Sequence, residues 1–133
     1  MNIRCIEHNK MMVARVPSSS TIFQDVDAAL DLLVTVRHDH GCDGMIVDAS
    51  AIDARFFTLS TGLAREVLKK YVMYMMKLVI IGDFSQTTSK SLRDCIYECN
   101  QGTQVLFVSD ETEALAKICI PTTKCNNSYG QIR

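Results

Sequence analysis

Two hydroxyl side chains and a glycine stand directly before a predicted helix, where they suggest either a phosphorylation site or a helix cap. Ser60, Thr61 and Gly62 precede a stretch in which apolar residues recur with the helical period. A phosphate on Ser60 would meet the free N–H groups and the positive dipole at the start of that helix. Either hydroxyl could instead cap the helix by accepting a hydrogen bond from those groups, and we favour the cap.

Acidic residues follow the apolar runs that are predicted to be buried strands. Asp48, Asp83 and Asp110 each stand at or just after the end of such a run. Parallel strands align their carboxyl ends at one edge of a sheet, and ligands of α/β proteins bind at that edge. We therefore predict that this edge is the functional one. Asp48 and Asp83 could hold a cation there, although acids in such positions more often cap turns.

Three phenylalanines lie in the loops that follow the same strand ends. Phe56, Phe57 and Phe84 could line a ligand pocket or anchor a protein partner. They could equally close the end of the hydrophobic core. We favour the closing role for Phe57 and leave both roles open for Phe56 and Phe84.

Other reactive side chains lack the partners that metal binding or catalysis requires. His38, His40 and Cys42 suggest part of a zinc site, but nothing is spaced to complete it, so we interpret the histidines as solvated residues at a helix end. Ser60, Ser85 and Cys42 are candidate nucleophiles without a Gly-x-Ser-x-Gly elbow or an evident general base. We predict no catalytic residue, no metal site and no cofactor, and we favour a function other than catalysis.

The six cysteines are expected to be free thiols, because a cytosolic chain with a large core has no need of disulfides. Cys95 and Cys99 stand one turn apart on a predicted helix and are interpreted as core residues. Cys119 and Cys125 near the C-terminus are expected to be the most readily oxidised. A thiol titration of the denatured protein should therefore find six free groups.

Hydrophobic patterning predicts the elements that position these residues. Two strands form an N-terminal hairpin, and helices then alternate with apolar strands in the order ββαβαβαβα. The strands are predicted at residues 2–7, 11–16, 45–47, 78–81 and 105–108, and the helices at residues 24–40, 61–76, 91–101 and 110–118. This order predicts a single α/β domain over residues 1–120, with a mixed, mostly parallel sheet and about four helices, followed by a flexible tail over residues 121–133.

The second predicted helix carries an apolar face and ends in a methionine-rich run. Its apolar face is formed by Leu63, Val67, Leu68, Tyr71 and Met75. We predict that residues 73–76 lie mostly in the core. An exposed Met73 or Tyr74 could contribute to a homodimer contact.

Composition narrows the classes of partner and location. The chain has 133 residues, 47% of them apolar, and a net charge of −1, so neither a disordered chain nor a basic nucleic-acid-binding surface is expected. No apolar run is long enough to cross a membrane, and the N-terminus carries no secretory signal pattern. We therefore expect a cytoplasmic protein that binds neither nucleic acid nor membrane.

The element order resembles that of STAS domains, which form anti-sigma-factor antagonists and the tails of anion transporters. More closely, three motifs resemble a bacterial family known only as a domain of unknown function. These motifs are FF-x-L-x-TGLA from Phe56, VIIGDFS from Val79 and SKSLRDCIYECNQG from Ser89. In STAS domains that are phosphorylated, the modified serine lies in Asp-Ser-Ser/Thr-Gly at the start of the second helix. Here Ser60 falls at that position, and Leu59 replaces the aspartate.

The resemblance and the polar loops together predict a non-enzymatic regulatory or protein-interaction module. Its working edge would comprise the loops 48–61 and 83–91, with Asp48, Phe56, Ser60, Thr61, Gly62, Asp83, Phe84 and Ser85 as the candidate residues. The alternative is a small-ligand sensor or an enzyme with a pocket at this edge between Asp48, Phe56, Asp83 and Phe84. A third hypothesis is a switch controlled by phosphorylation of Ser60.

Overall fold

The computed structural model describes residues 3–8 and 10–118 and contains a five-stranded sheet with the strand order β1-β2-β3-β4-β5. The strands are β1 (Arg4–His8), β2 (Met11–Arg15), β3 (Gly44–Asp48), β4 (Lys77–Ile81) and β5 (Val105–Val108). β1 pairs with β2 in antiparallel orientation, and β2 to β5 are parallel to one another. The predicted α/β fold with an N-terminal hairpin and a mixed, mostly parallel sheet is therefore confirmed.

Within the described residues, five α-helices cover the sheet: α1 (Val26–Val34), α2 (Ala54–Phe57), α3 (Leu63–Met73), α4 (Lys90–Asn100) and α5 (Glu111–Ile118). α1, α3 and α4 each connect two successive parallel strands, and right-handed crossovers place them on one face. α5 packs on the other face. Four of these helices were predicted from the sequence, whereas the short α2 lies in the segment 48–61 that was predicted to be a loop.

Each face of the sheet has its own hydrophobic cluster. The larger cluster joins side chains of α1 and α3 to alternate residues of the central strands, including Met45, Val47 and Ile80. The smaller cluster joins Ala114 and Ile118 of α5 to the intervening strand residues. Because both faces are covered, β3, β4 and β5 are buried over almost their whole length, which explains their continuous apolar sequences.

The outer edge of β5 is partnered by a side chain of α4. Asn100 accepts a hydrogen bond from the backbone N–H of Phe107 (2.8 Å) and donates one to the carbonyl oxygen of the same residue (3.2 Å). Its amide therefore makes the two bonds that a neighbouring strand would make.

The methionine-rich run at the end of α3 differs from its prediction. Met76 is fully buried, but Met73, Tyr74 and Met75 are exposed, and Met75 is 70% exposed. α3 ends at Met73, and Met75 has a φ of +58°, so the chain turns sharply before Met76 enters the core. The prediction that this run lies mostly in the core, with Met75 on the apolar face of the helix, was wrong.

These exposed residues belong to a larger apolar surface at the amino ends of the strands. We call it the methionine surface, and it consists of Val34, Val72, Met73, Tyr74 and Met75. Arg37 supports it by donating hydrogen bonds to the carbonyl oxygens of Tyr74 (2.6 Å) and Met75 (3.2 Å).

Two predictions concern residues outside the described part of the chain. The flexible tail at residues 121–133 and the reactivity of Cys119 and Cys125 both lie there. Within residues 3–8 and 10–118, no helix combines the length and the apolar character that a membrane span requires.

Candidate functional site

Strand pairing brings the two candidate aspartates to one edge of the sheet. Asp48, the last residue of β3, lies opposite Ile81, the last residue of β4. Asp83 follows Ile81 by two residues, so both aspartates lie at the carboxyl end of the strands. We call this region the carboxyl rim.

A charged network that the sequence analysis did not identify holds Asp48. The guanidinium of Arg15, at the end of β2, donates to both carboxylate oxygens of Asp48 (3.1 Å each) and to Oε1 of Glu111 (3.0 Å). Arg4 lies 3.5 Å from the other carboxylate oxygen of Glu111. The side chains of Arg15 and Asp48 are only 16% and 25% exposed, so water screens this ion pair weakly.

The Arg15 guanidinium remains charged despite its partial burial. Burial lowers its pKa, but the hydrogen bonds to Asp48 and Glu111 outweigh that effect and leave the pKa above the ordinary value. Its Nη1 also donates to the carbonyl oxygens of Val16 (3.2 Å) and Ile46 (3.3 Å). Arg15 therefore ties together β2, β3 and the start of α5 at the carboxyl rim.

Asp83 is engaged within its own turn. Its carboxylate accepts hydrogen bonds from the hydroxyl (2.6 Å) and the backbone N–H (3.0 Å) of Ser85, and both bonds lower its pKa. Because Asp48 and Asp83 each have separate partners, a cation shared between them is not supported. Within the described ranges, no group of three or more His, Cys, Asp or Glu side chains could hold a metal ion.

The three rim phenylalanines join a continuous series of aromatic contacts. Ring centroids lie 5.5 Å apart for Phe23 and Phe56, 5.2 Å for Phe56 and Phe57, 6.2 Å for Phe57 and Phe84, and 5.3 Å for Phe84 and Phe107. Phe56 is only 1% exposed, whereas Phe57 and Phe84 are half-buried. All three rings therefore close the end of the core, and Phe56 does not present its side chain to a partner.

Gly82 is required for this closure. A Cβ atom at this position would lie 2.8 Å from the Cβ of Ala49 and 3.0 Å from Cζ of Phe84. The absence of a side chain at residue 82 therefore allows Phe84 to fold back over the strand end.

The two hydroxyls before α3 have different surroundings. The Thr61 hydroxyl lies 2.8 Å from the carbonyl oxygen of Arg55 and 2.9 Å from that of Thr58, and it accepts a hydrogen bond from the N–H of Leu63 (3.2 Å). Gly62 has a φ of +77°, which favours glycine. Ser60 is exposed, and its hydroxyl has no partner among the residues that the structure describes. Gly62 is thus the N-cap residue of α3, the Thr61 hydroxyl binds the first N–H group of the helix, and the Ser60 hydroxyl is unused.

A cavity lies between α3 and α4, and its lining includes Leu59 near the carboxyl rim and Gln104 before β5. It has a volume of about 630 Å³ and is lined by residues that include Leu68, Val72, Cys95, Cys99 and Gln104. The side-chain oxygen of Gln104 is buried and has no hydrogen-bond partner within the described chain. A hydrogen bond from Cys99 lowers the pKa of Cys95 to about 7, and the same contact raises the pKa of Cys99.

Cys5 and Cys42 form a second thiol pair, and the sequence did not indicate that Cys5 lies near His40 and Cys42. The sulfur of Cys5 on β1 lies 3.8 Å from the sulfur of Cys42 and 3.6 Å from Nδ1 of His40. Burial and the contact with Cys5 raise the pKa of Cys42 to about 11. His38 is exposed on the surface, so the residues that meet are Cys5, His40 and Cys42, without His38.

The chain after α1 explains how these three residues meet. α1 continues into a π-helical turn at Thr35–Asp39, and Gly41 then takes a φ of +66°. The backbone N–H of Cys42 donates to the carbonyl oxygen of Val36 (3.1 Å), which fixes the reversal of the chain. Hairpin pairing of Cys5 with Ala14 brings β1 alongside this turn. No local spacing in the sequence indicates such a contact.

Comparison with known proteins identifies a family and no activity. The model of a family described as "Domain of unknown function (DUF4180)" matches residues 8–118. No curated protein is significantly similar to the chain, and no solved structure is either.

Proposed function

We propose a function from the site itself, because the chain belongs to the DUF4180 family and the description of that family assigns no activity. The protein is a non-enzymatic, cytosolic regulatory or protein-interaction module with the topology of a STAS domain. Its partner binds the segment 53–62 at the carboxyl rim, which we call the presenting segment. The resemblance in element order supports the STAS-like assignment, and the carboxylates of Asp48 and Asp83 are poor candidates for acid–base catalysis because both are already bonded.

The observation that carries this proposal is an unused hydroxyl on a fixed surface segment. Phe56 anchors the presenting segment in the core, and Asp53 accepts hydrogen bonds from the backbone N–H of Arg55 (2.9 Å) and from its guanidinium (3.0 Å). Thr61 fixes the other end of the segment. The exposed Ser60 is therefore presented by a backbone that need not become ordered on binding, which lowers the entropic cost of association.

Site-specific photocrosslinking in the native cell tests the partner hypothesis. A photoreactive residue at exposed Thr58 leaves Ser60 intact, and the matched control carries it at Tyr97, which is exposed on α4. We expect one protein to be captured from position 58 and not from position 97, and we expect Ser60→Arg to reduce that capture at least tenfold. Capture of the same proteins from both positions, or of none from position 58, would contradict the proposal.

The phosphorylation switch is a refinement of this proposal. A phosphate on Ser60 would stand at the start of the eleven-residue helix α3. Mass spectrometry of protein from its native cells, grown under several conditions, should then detect phosphate on Ser60. Unmodified Ser60 and Thr61 under all conditions would remove the switch and leave the binding proposal intact.

The predicted homodimer is also a proposal, and the methionine surface is the place for it. Its adaptable side chains are of the kind found at protein contacts. Sedimentation analysis should give a dimeric mass that Met73→Asp converts to the monomeric mass. A monomeric mass for the unaltered protein at all concentrations would contradict the dimer.

The second candidate function is small-ligand sensing in the cavity between α3 and α4. Gln104 lines it together with apolar side chains such as Leu68 and Val72, which favours a ligand with an apolar body and one hydrogen-bonding group. Such a ligand should raise the melting temperature of the protein in a metabolite screen, and Gln104→Met should weaken that shift while stabilising the free protein. A ligand that raises the melting temperature of Gln104→Met as much as that of the unaltered protein binds outside this cavity.

A further inference from the structure

We propose that Cys5, Cys42 and His40 form a thiol-oxidation site that reduces a hydroperoxide and closes a reversible disulfide between β1 and the turn before β3. The sulfur atoms of the two cysteines lie 3.8 Å apart. A disulfide bond is about 2.05 Å long, so rotation of the side chains must shorten this separation by about 2 Å.

The two thiols differ in the way that such a reaction requires. Cys5 is exposed, so a hydroperoxide can reach it, whereas Cys42 is fully buried. The raised pKa of Cys42 keeps it in the thiol form at neutral pH, and it therefore does not compete for the oxidant. Cys5 is thus assigned as the residue that is oxidised first, and Cys42 as the residue that resolves the product.

His40 is placed to accept the proton of Cys5. Its Nδ1 lies 3.6 Å from the Cys5 sulfur, and it lines a cavity of about 380 Å³ together with apolar residues that include Ile22 and Leu32. This cavity gives a hydroperoxide a route to the imidazole. In the first step the Cys5 thiolate attacks the terminal peroxide oxygen, the O–O bond breaks, and the alcohol or water leaves with the proton that His40 had received.

The second step consumes the sulfenic acid that the first step leaves on Cys5. The sulfur of Cys42 attacks the sulfur of Cys5, the S–O bond breaks, and hydroxide leaves with the proton of Cys42 as water. Two thiols and one hydroperoxide thus give one disulfide, one alcohol and one water. A small dithiol returns the disulfide to the reduced state.

The other thiol pair is less suited to this reaction. Cys95 and Cys99 both belong to α4, so a bond between them would distort one helix, and no histidine of the described chain is among the residues that line their cavity. They provide an internal comparison, because Cys95 has the lower pKa of its pair and yet lacks the arrangement that we assign to Cys5.

Peptide mapping of the full chain tests the proposal. The reduced protein is treated with one molar equivalent of hydrogen peroxide, alkylated, and digested with trypsin without reduction. We expect residues 5–10 to be linked to residues 38–55, because trypsin cleaves after Arg4, Lys10, Arg37 and Arg55. Cys5→Ser should abolish this product, and Cys95→Ser should leave its yield unchanged. His40→Asn should slow its formation at least tenfold.

A trapping experiment separates the two steps. In Cys42→Ser, dimedone should label Cys5, because the sulfenic acid has no resolving thiol. Circular dichroism shows whether the buried substitution Cys42→Ser unfolds the protein. If it does, the exposed substitution Cys5→Ser, with its expected loss of the linked peptide, is the deciding test. Formation of a Cys95–Cys99 disulfide with no linked Cys5–Cys42 peptide would overturn the proposal, as would an equal rate of linkage in His40→Asn or in urea-denatured protein.

Discussion

The two ends of the parallel strands present different surfaces. At the carboxyl rim, Arg15 neutralises Asp48, and the phenylalanines cover the end of the core. At the amino ends, the methionine surface leaves apolar side chains exposed, and Met75 is held in a left-handed backbone conformation. The carboxyl rim, where the topology predicts a functional site, therefore has its charges paired and its core covered, whereas the amino ends leave apolar side chains exposed.

This difference separates two ways of locating function in an α/β protein. The general position of ligands at strand carboxyl ends points to the carboxyl rim, where segment 53–62 supplies an exposed hydroxyl. Exposed apolar surface instead points to the amino ends, where a second protein surface could cover Met73 and Tyr74. A ligand-binding or partner-binding rim and a separate self-association surface are compatible with each other.

The largest expected difference between the two ends concerns loss of an apolar side chain. Phe56→Ala should lower the free energy of unfolding by about 3–5 kcal/mol, because it removes a ring from the core and leaves a cavity. Met73→Ala, the matched control at the amino end, should change it by less than about 0.5 kcal/mol. Urea denaturation below the concentration at which the chain dimerises measures both values. A similar loss in the two variants would contradict the contrast between a closed and an open end.

Charge removal should give the next largest effect. Arg15→Met keeps the aliphatic stem but leaves Asp48 and Glu111 without their shared partner, and it should cost about 1–3 kcal/mol. Added salt should recover part of that loss by screening the two carboxylates. Arg37→Met at the amino end removes bonds to carbonyl oxygens only, so its smaller cost, about 1 kcal/mol, should not respond to salt. Urea unfolding at low and high salt distinguishes the two behaviours.

Relief of backbone strain at the amino end should increase the stability of the protein. Met75→Gly should stabilise the protein by about 0.5–1 kcal/mol, since glycine takes a positive φ without steric cost and the exposed side chain contributes little packing. Met73→Gly, at the last residue of α3, should instead destabilise by a comparable amount. Thermal unfolding of the two variants below the concentration at which the chain dimerises gives the signs, and destabilisation by Met75→Gly would contradict backbone strain at this residue.

The smallest effect is a pH dependence at the carboxyl rim. Glu113 accepts hydrogen bonds from Ser109 and pairs with Lys117, and these contacts lower its pKa below the ordinary 4.5. Its contribution to stability is therefore present above pH 4.5 and is lost as the pH falls through the lower folded-state value. Glu113→Gln should cost about 0.2–0.5 kcal/mol at neutral pH and nothing in strong acid. Urea midpoints of the unaltered protein and the variant, measured across the acid range, check this pH dependence. A difference between the two midpoints that stays constant with pH would contradict it.

Local sequence signals predicted the parts of the fold that depend on nearby residues. The apolar run at residues 78–81 marked β4, and the helix predicted at residues 110–118 corresponds to α5, where Asp110 accepts the N–H of Glu113 (2.8 Å). Periodicity failed at Met75, because the apolar pattern continues beyond the residue at which the helix ends.

The contacts that define the charged and thiol sites depend on strand register. Arg15 meets Asp48 and Glu111 at separations of 33 and 96 residues along the chain. Cys5 meets Cys42 only because the hairpin folds beside the π-helical turn. None of these separations along the chain matches a helical or strand period, so composition and spacing could not reveal the charged network or the thiol pair.

Asn100 has a consequence for assembly. Its amide occupies the hydrogen-bonding positions that a further strand would need at β5. An incoming chain would have to displace this side chain, and α4 with it, before it could extend the sheet on that side. The substitution Asn100→Leu would uncover the N–H and carbonyl of Phe107 and turn a terminated edge into a template for aggregation.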